Sequence, residues 1–241
     1  MGVIYYNGKS SEEFGIVVEA TPNYEIPERN YEILSIPGRN GDVVIDKGNY
    51  KNVDRSYDIA IIAEEGSFPF SAFKMSSWLH SGYGYCRLED SYNPEIFMMA
   101  TLQSSVNIAN ILQQAGRATI TFNRKPERFL KIGEVPIVIE SHPATGYDIC
   151  NPTMFESKPL IIITGSGNGY VDIGNHRIIL NDAYNQVYID CEIEEAYYND
   201  VNMNSHVNYT NDFPKLSTGV TNVSFGGGIR TVTIIPRWWT I

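Results

Sequence analysis

The chain has 241 residues, of which 43% are hydrophobic, and it carries a formal net charge of -10 at pH 7. This length supports one or two domains with a sizeable core. The acidic balance argues against tight nucleic-acid binding, which requires clustered lysine and arginine side chains to meet the phosphates. Three cysteines, Cys86, Cys150 and Cys191, are too few for a disulfide framework and odd in number. We therefore expect reduced thiols in a protein made in a cytoplasm.

Targeting and membrane signals are missing from the sequence. Residues 1–6 lack the basic region and apolar core of a signal peptide. No apolar run approaches the roughly 20 residues that a membrane-spanning helix needs, so membrane insertion is not expected.

The most informative predicted element is a hairpin arm within residues 31–52. Residues 31–36 and 42–46 are predicted strands, and the segment between them contains Pro37, Gly38 and the Asn40–Gly41 pair, which favour a turn. The arm is too polar for a core and is typical of hairpins that embrace a neighbouring subunit. We predict an oligomer interface here, with a solvated hairpin tip as the alternative. The candidate interface residues are Arg39, Asn40, Asp42, Lys47, Tyr50 and Lys51.

The rest of the N-terminal half predicts a β-sandwich closed by one helix. Residues 16–19, 57–63 and 118–122 are rich in β-branched residues or alternate between apolar and polar. The helix is predicted to begin after a cap at Ser71 and to end near Gly82, with Met75, Trp78 and Leu79 in the core. Phe68 and Phe70 are predicted to staple its start.

A composition change at residues 123–128 predicts a domain boundary, because charge and proline replace the alternation. We therefore expect an N-terminal domain over residues 1–130 and a C-terminal domain over residues 131–241. Short apolar runs in the second part predict a second sandwich with a jelly-roll or lectin-like layout. Glycine-rich residues 165–170 are predicted as a hairpin turn, and residues 226–228 as the link between the last two strands.

No pattern of catalytic residues, metal ligands or cofactor contacts is predicted, and we do not expect an enzyme. Asp190, Glu192 and Glu194 alternate along a predicted strand, which indicates a solvated edge more than a glycosidase or calcium site. Trp238 and Trp239 are candidates for contact with a partner or a saccharide. Adjacent strand residues face opposite ways, so one ring is expected to enter a core.

Several motifs, in order along the chain, carry a family resemblance. They comprise residues 6–16, 37–41 and 48–52, then residues 151–153, 212–216 with Gly219, and 236–239. Together they resemble the distal tail proteins of long-tailed phages, and the resemblance spans nearly the whole chain.

This resemblance implies a structural virion protein whose C-terminal domain is a galectin-like β-sandwich. Proteins of this family form a six-fold ring at the distal end of the tail tube, with a central channel for DNA, which passes without tight binding. The implied partners are five further copies, the tail tube protein, and tail-associated or receptor-binding proteins. The implied location is the virion tail tip, after synthesis in the host cytoplasm. The alternative function is a carbohydrate-binding adhesion module that recognises saccharide on the host surface.

Overall fold

In the computed structural model, the described residues are 2–63, 68–103, 106, 108–112, 115–140, 146–183 and 185–241. The chain divides into two compact units, residues up to Arg128 together with Ile241, and residues 129–240. Both are mainly β, which confirms the predicted fold class. Galectin-like character of the second unit remains a prediction.

The strands of the first unit are β1 (Ile4–Tyr6), β2 (Lys9–Ser10), β3 (Ile16–Val18), β4 (Arg29–Leu34), β5 (Val43–Tyr50), β6 (Val53–Ile62), β7 (Cys86–Asp90), β8 (Ile96–Leu102), β9 (Ala109–Leu112) and β10 (Ala115–Leu130), the last of which continues into the second unit. Its main sheet has the order β2-β1-β7-β8-β10-β6-β3, with β9 paired to β10. A bridge between Gly2 and Val18 joins β3 to the chain just before β1. The sheet therefore curls around its core, while β4 and β5 form a separate pair.

The helix α1 (Phe68–Leu79) packs against this core through Phe68, Met75, Trp78 and Leu79. The predicted core face is therefore correct. The predicted start is wrong, because Ser71 lies inside the helix. Phe70 is exposed, so the expected staple through its ring does not form.

The second unit contains β11 (Ile137–Ile139), β12 (Tyr147–Asn151), β13 (Leu160–Ile173), β14 (His176–Ala183), β15 (Gln186–Asp190), β16 (Glu195–Tyr198), β17 (Val201–Asn202), β18 (Val207–Tyr209), β19 (Gly219–Ile235) and β20 (Trp239–Thr240). The first half of β13 pairs with β15, and its second half pairs with β14. β19 likewise pairs with β12 through its first half and with β11 through its second. Each long strand thus takes part in two layers, which enclose one core.

Both predicted glycine turns are wrong, because the two glycine-rich segments are paired irregularities inside β13 and β19. The register between these strands shifts around Gly165 and Gly169. A Cβ at Gly228 would overlap the backbone carbonyl oxygen of Ser166. Glycine is needed here because two backbones approach closely where the strands change layer.

Residues 123–128, where the composition change predicts a domain boundary, lie inside β10, which runs through them without interruption. The division between the two compact units falls after Arg128, inside this strand. Arg124 is only 1% exposed. Charged residues therefore occupy inward positions here, and their partners form part of the candidate site.

Two further observations concern the described residues alone. None of the helices found in them is both long and apolar enough to span a membrane. They contain no group of three or more His, Cys, Asp or Glu residues that could hold a metal ion.

Candidate functional site

The hairpin of β4 and β5, which we call the arm, pairs only with itself in the described part of the chain. Its register places Tyr31 opposite Asp46 and Ile33 opposite Val44. The connection covers residues 35–42 and is longer than a two-residue turn. Gly38 adopts a positive φ of 84° there, a conformation that favours glycine. The arm is thus an extended ribbon with a broad tip.

Ion pairs hold the part of the arm nearest the core. Arg29 donates two hydrogen bonds to Asp46 through Nε and a third through Nη2, the last at 2.7 Å. These bonds and the backbone N–H of Gly48 hold the pKa of Asp46 below its usual value. The Arg29 guanidinium also lies over the Tyr50 ring, 4.7 Å from its centroid.

Two further ion pairs join the strands near the same end. Lys51 Nζ lies 2.9 Å from Glu28 Oε2, and Lys47 Nζ lies 3.4 Å from Glu32 Oε2. All four side chains are substantially exposed, so each pair adds little stability. The ion pairs instead help to fix the pairing of the two strands, since opposite charges across the ribbon favour this register over a shifted one.

The outer part of the arm is apolar on both faces. Ile33 and Val44 are opposite each other on one face, whereas Leu34 and Ile45 lie on the other, because side chains alternate along a strand. Ile33 is 64% exposed, and the other three residues and Ile36 are also exposed. A two-stranded ribbon has no core of its own and is marginally stable when isolated. Exposed aliphatic side chains on both of its faces are typical of surfaces that bind other proteins.

Three arginines anchor the segment that leads into the arm. Arg55 donates a hydrogen bond to the carbonyl oxygen of Asn23. The carbonyl oxygen of Glu25 accepts hydrogen bonds from Arg124 at 3.1 Å and from Arg128 at 2.7 Å. Residues 19–28 belong to no helix or strand, so these contacts take the place of a sheet ladder. We call this group the arginine clamp.

The clamp is positively charged and shielded from water. Asp90 accepts hydrogen bonds from Arg55 at 2.9 Å and from the Tyr57 hydroxyl at 2.8 Å. Burial, together with the positive charges of Arg128 and Arg55, lowers the pKa of Arg124 to about 10. Burial and the charge of Asp90 raise the pKa of Tyr57. The Asp90 carboxylate is therefore the main counterion that the structure places in direct contact with the clamp.

The other end of the arm is anchored by side-chain amides. Asn52 Nδ2 donates to the hydroxyl oxygen of Tyr85 and to Asn123 Oδ1, the latter at 2.6 Å. Asn123 in turn donates to Asp54 at 2.9 Å, and Lys125 lies over the Tyr85 ring. The arm is therefore fixed at both of its ends, and between them its strands pair only with each other among the described residues.

The structure brings the predicted interface residues together on the arm. Arg39, Asn40 and Asp42 lie exposed in the connection, and Lys47, Tyr50 and Lys51 lie in or beside β5. Their role as an interface remains a proposal. The exposed aliphatic residues of the arm were not among the predicted interface residues. Consecutive apolar residues at 33–34 and 43–45 nevertheless indicate strands that are apolar on both faces.

The two C-terminal tryptophans differ in environment. Trp238 is 4% exposed and belongs to the core of the second unit, so its candidate role in partner or saccharide contact is corrected. Trp239 is half-buried, stacks on Phe155 with ring centroids 4.4 Å apart, and donates from Nε1 to the carbonyl oxygen of Glu156. One face of its ring is therefore covered by Phe155.

The predicted row of three carboxylates on one strand face is also wrong, because β15 ends at Asp190. Arg237 donates two hydrogen bonds to Asp190, at 2.7 and 2.8 Å, and lies 3.5 Å from Glu192. Burial alone would raise the pKa of Asp190, but the bonds from Arg237 and from backbone N–H groups outweigh it and lower that pKa. Asp190 and Arg237 therefore form a partly buried structural ion pair.

Comparison with known proteins establishes the fold. No family model and no curated protein sequence matches the chain. The crystal structure of SPP1 Dit (gp 19.1), described as a paradigm of the hub adsorption apparatus in phages that infect Gram-positive bacteria, matches with a TM-score of 0.77 and 11% identity over 100% of both chains. A chain from the baseplate of phage p2, in its activated conformation with Sr, matches with a TM-score of 0.52 and 9% identity over 96% of this chain and 97% of that one. The chain thus has a Dit-like fold over its full length, as the resemblance to phage distal tail proteins led us to expect.

Proposed function

We propose that this protein is a structural component of a phage tail tip, in which six copies close into a ring at the distal end of the tail tube. The ring acts as a hub between the tube and the adsorption or receptor-binding apparatus, and the protein has no catalytic role. The Dit-like fold supports this assignment at the level of architecture. The exposed aliphatic surface of the arm supports self-association.

The single observation that carries the proposal is an apolar arm that is fixed at both ends. The arginine clamp and the Asn52 contacts fix where the arm leaves the first unit. A projection fixed in this way loses little conformational freedom when it binds. Each copy thus offers one arm and one surface to receive it, and such head-to-tail contacts close into a ring when the rotation between copies permits.

A channel through such a ring suits the charge of the chain. The net charge of -10 per copy disfavours close binding of phosphate groups. DNA can then pass without being retained, and the partners of the ring are other tail proteins.

The test is the mass of the full chain in solution, measured by native mass spectrometry and light scattering. We expect an assembly of six times the 27.1 kDa of one chain. The variant Ile33→Thr/Val44→Thr keeps β-branched side chains but places hydroxyl groups on one arm face. Because burying an unpaired hydroxyl costs ~1–3 kcal/mol, assembly should weaken about tenfold or more.

The matched control is Ile132→Thr/Val138→Thr, which changes an isoleucine and a valine of similar exposure (63% and 52%) in the second unit. It should assemble as the unaltered chain does. A chain that stays monomeric at every concentration, or an arm variant that assembles as tightly as the control, would contradict the proposal. The saccharide alternative gains no support from the structure, since Trp238 is buried and Trp239 is engaged.

A further inference from the structure

A second exposed apolar surface lies on the outward side of α1 in the first unit. Phe70 is 59% exposed and Phe73 is 71% exposed. They border a shallow groove of about 310 Å³, which we call the helix groove. Its lining also includes Phe14, Trp78, Lys9 and Lys74.

The aromatic character of the helix groove is not explained by the packing of the first unit. Met75, Trp78 and Leu79 already supply the helix face that meets the core. The opposite face of a surface helix is ordinarily polar. Phe70 and Phe73 lie on that opposite face, so their rings are surplus to the packing of one copy.

The floor of the helix groove is built and rigid. The ring of Phe14 stacks on Trp78, with centroids 4.8 Å apart and an angle of 10° between the planes. Trp78 Nε1 donates to the carbonyl oxygen of Tyr6 at 3.1 Å, which fixes the indole. A ligand therefore meets a fixed aromatic base between two exposed phenylalanines.

The charge of the helix groove complements the base of the arm tip. Lys9 and Lys74 are its charged lining residues. Asp42 lies next to β5, and in the described part of the chain it makes no ion pair, whereas Asp46 is bound by Arg29. Arg39 lies in the middle of the connection, whereas Asp42 lies at its base, next to the aliphatic residues of β5. An arm tip that enters with its base toward Lys9 and Lys74 would thus bring aliphatic side chains to the phenylalanines and the Asp42 carboxylate to the lysines.

We propose that the helix groove receives the arm tip of a neighbouring copy of this chain. In a single copy both surfaces are exposed, so a copy does not satisfy its own groove. β5 has eight residues and is about 27 Å long at ~3.4 Å per residue, which suits contact with a second molecule. The inference rests on the proposed ring and names the surface that receives the arm.

The test is photocrosslinking of the full chain with benzoylphenylalanine in place of Phe73. Equal amounts of ordinary and ¹⁵N-labelled protein are mixed under dissociating conditions and reassembled before irradiation. We expect crosslinked peptides that join position 73 to residues 33–45, with one peptide labelled and the other not. The matched control places the same probe at Tyr83, a fully exposed aromatic residue of the same unit, where no crosslink to the arm is expected.

The failures of the two proposals are distinguishable. Assembly with crosslinks from position 73 to other segments, or only within one copy, would overturn the helix groove as receptor and leave the ring intact. A chain that never assembles would overturn both. As an independent measure, the variant Phe70→Ser/Phe73→Ser should weaken assembly about tenfold or more. The control Tyr83→Ser should leave assembly unchanged. Equal assembly of the two variants would also overturn the inference.

Discussion

The substitution Asp90→Asn tests whether the arginine clamp depends on its buried carboxylate. Asp90 Oδ2 accepts from Arg55 and from the Tyr57 hydroxyl, and Oδ1 accepts from the backbone N–H groups of Tyr92 and Asn93. An asparagine oxygen can keep the backbone bonds. Its NH₂ group cannot accept from the arginine or the tyrosine, so the local fold is kept while the charge and two bonds are lost.

The expected cost follows from burial. The side chains of Arg55 and Asp90 are 5% and 0% exposed, and their ion pair measures 2.9 Å. Removing one partner of such a pair costs about 3–5 kcal/mol, because the other charge remains buried. The positive charges of Arg128 and Arg55 contribute to the lowered pKa of Arg124, so repulsion among the remaining cations acts in the same direction. In a unit of this size the loss corresponds to a fall in midpoint of roughly 10–20 °C.

The assay is thermal unfolding of the full chain, with hydrogen exchange of the β6 and β7 amides to identify the unit that unfolds. Asp46→Asn is the control, because it makes the same chemical change in an exposed arginine pair. We expect the control to leave the midpoint of the first unit nearly unchanged, since solvent screens exposed pairs. An Asp90→Asn midpoint no lower than that of Asp46→Asn would refute the clamp as an electrostatic unit.

Two further predictions concern the second unit. Because the folded-state pKa of Asp190 is lowered, its ion pair stabilises the unit fully above the unfolded pKa of about 3.9, and this stability is lost as pH falls through the folded value. Between pH 6 and pH 3, the free energy of unfolding of Asp190→Asn should therefore depend less on pH than that of the unaltered chain. The same pH profile for both proteins would contradict this. Cys150 is exposed, whereas Cys191 is buried with its pKa raised to about 12 by burial, so iodoacetamide at pH 8 should label Cys150 first by at least tenfold. Peptide mass spectrometry checks the order, and equal labelling of the two thiols would show that the core of the second unit opens readily.

Helices and strands in which apolar residues recur at a regular spacing were predictable from the sequence. The spacing of Met75, Trp78 and Leu79 identified the helix and its core face, and alternation identified β6 and β10. The first turn of the helix was not predicted, because Phe68, Pro69 and Phe70 do not resemble a usual helix start. Proline is nevertheless favoured in the first turn of a helix.

Features that depend on distant partners could not be predicted. The glycines near residues 165 and 227 form local patterns that are typical of turns. The structure needs glycine at these positions because two backbone segments, about 60 residues apart along the chain, approach each other closely there. Arg124 and Arg128 were read only as part of a composition change, because composition cannot reveal that both donate to the carbonyl oxygen of Glu25. Sequence patterns report periods, whereas both of these features depend on contacts between remote segments.

The position of the arm was predictable from the sequence, whereas its exposed aliphatic residues were not singled out. Turn residues located the arm, and polar residues such as Arg39 and Lys47 were predicted as its interface. The structure assigns those positions to the tip and to an internal ion pair with Glu32, whereas the exposed aliphatic area lies between them. Polar residues near the core end of the arm therefore hold its own register.

The separation of polar and apolar residues along the arm also explains how an aggregation-prone element is tolerated. An exposed ribbon with aliphatic residues on both faces is a template for non-specific strand pairing. The ion pairs of Arg29 and Lys51 restrict register at one end, and the clamp fixes the direction in which the arm leaves the unit. The apolar part is then presented in one geometry, so a receptor of matching shape competes effectively with random pairing. If the clamp contacts were removed, the same aliphatic residues would favour aggregation over an assembly of defined size.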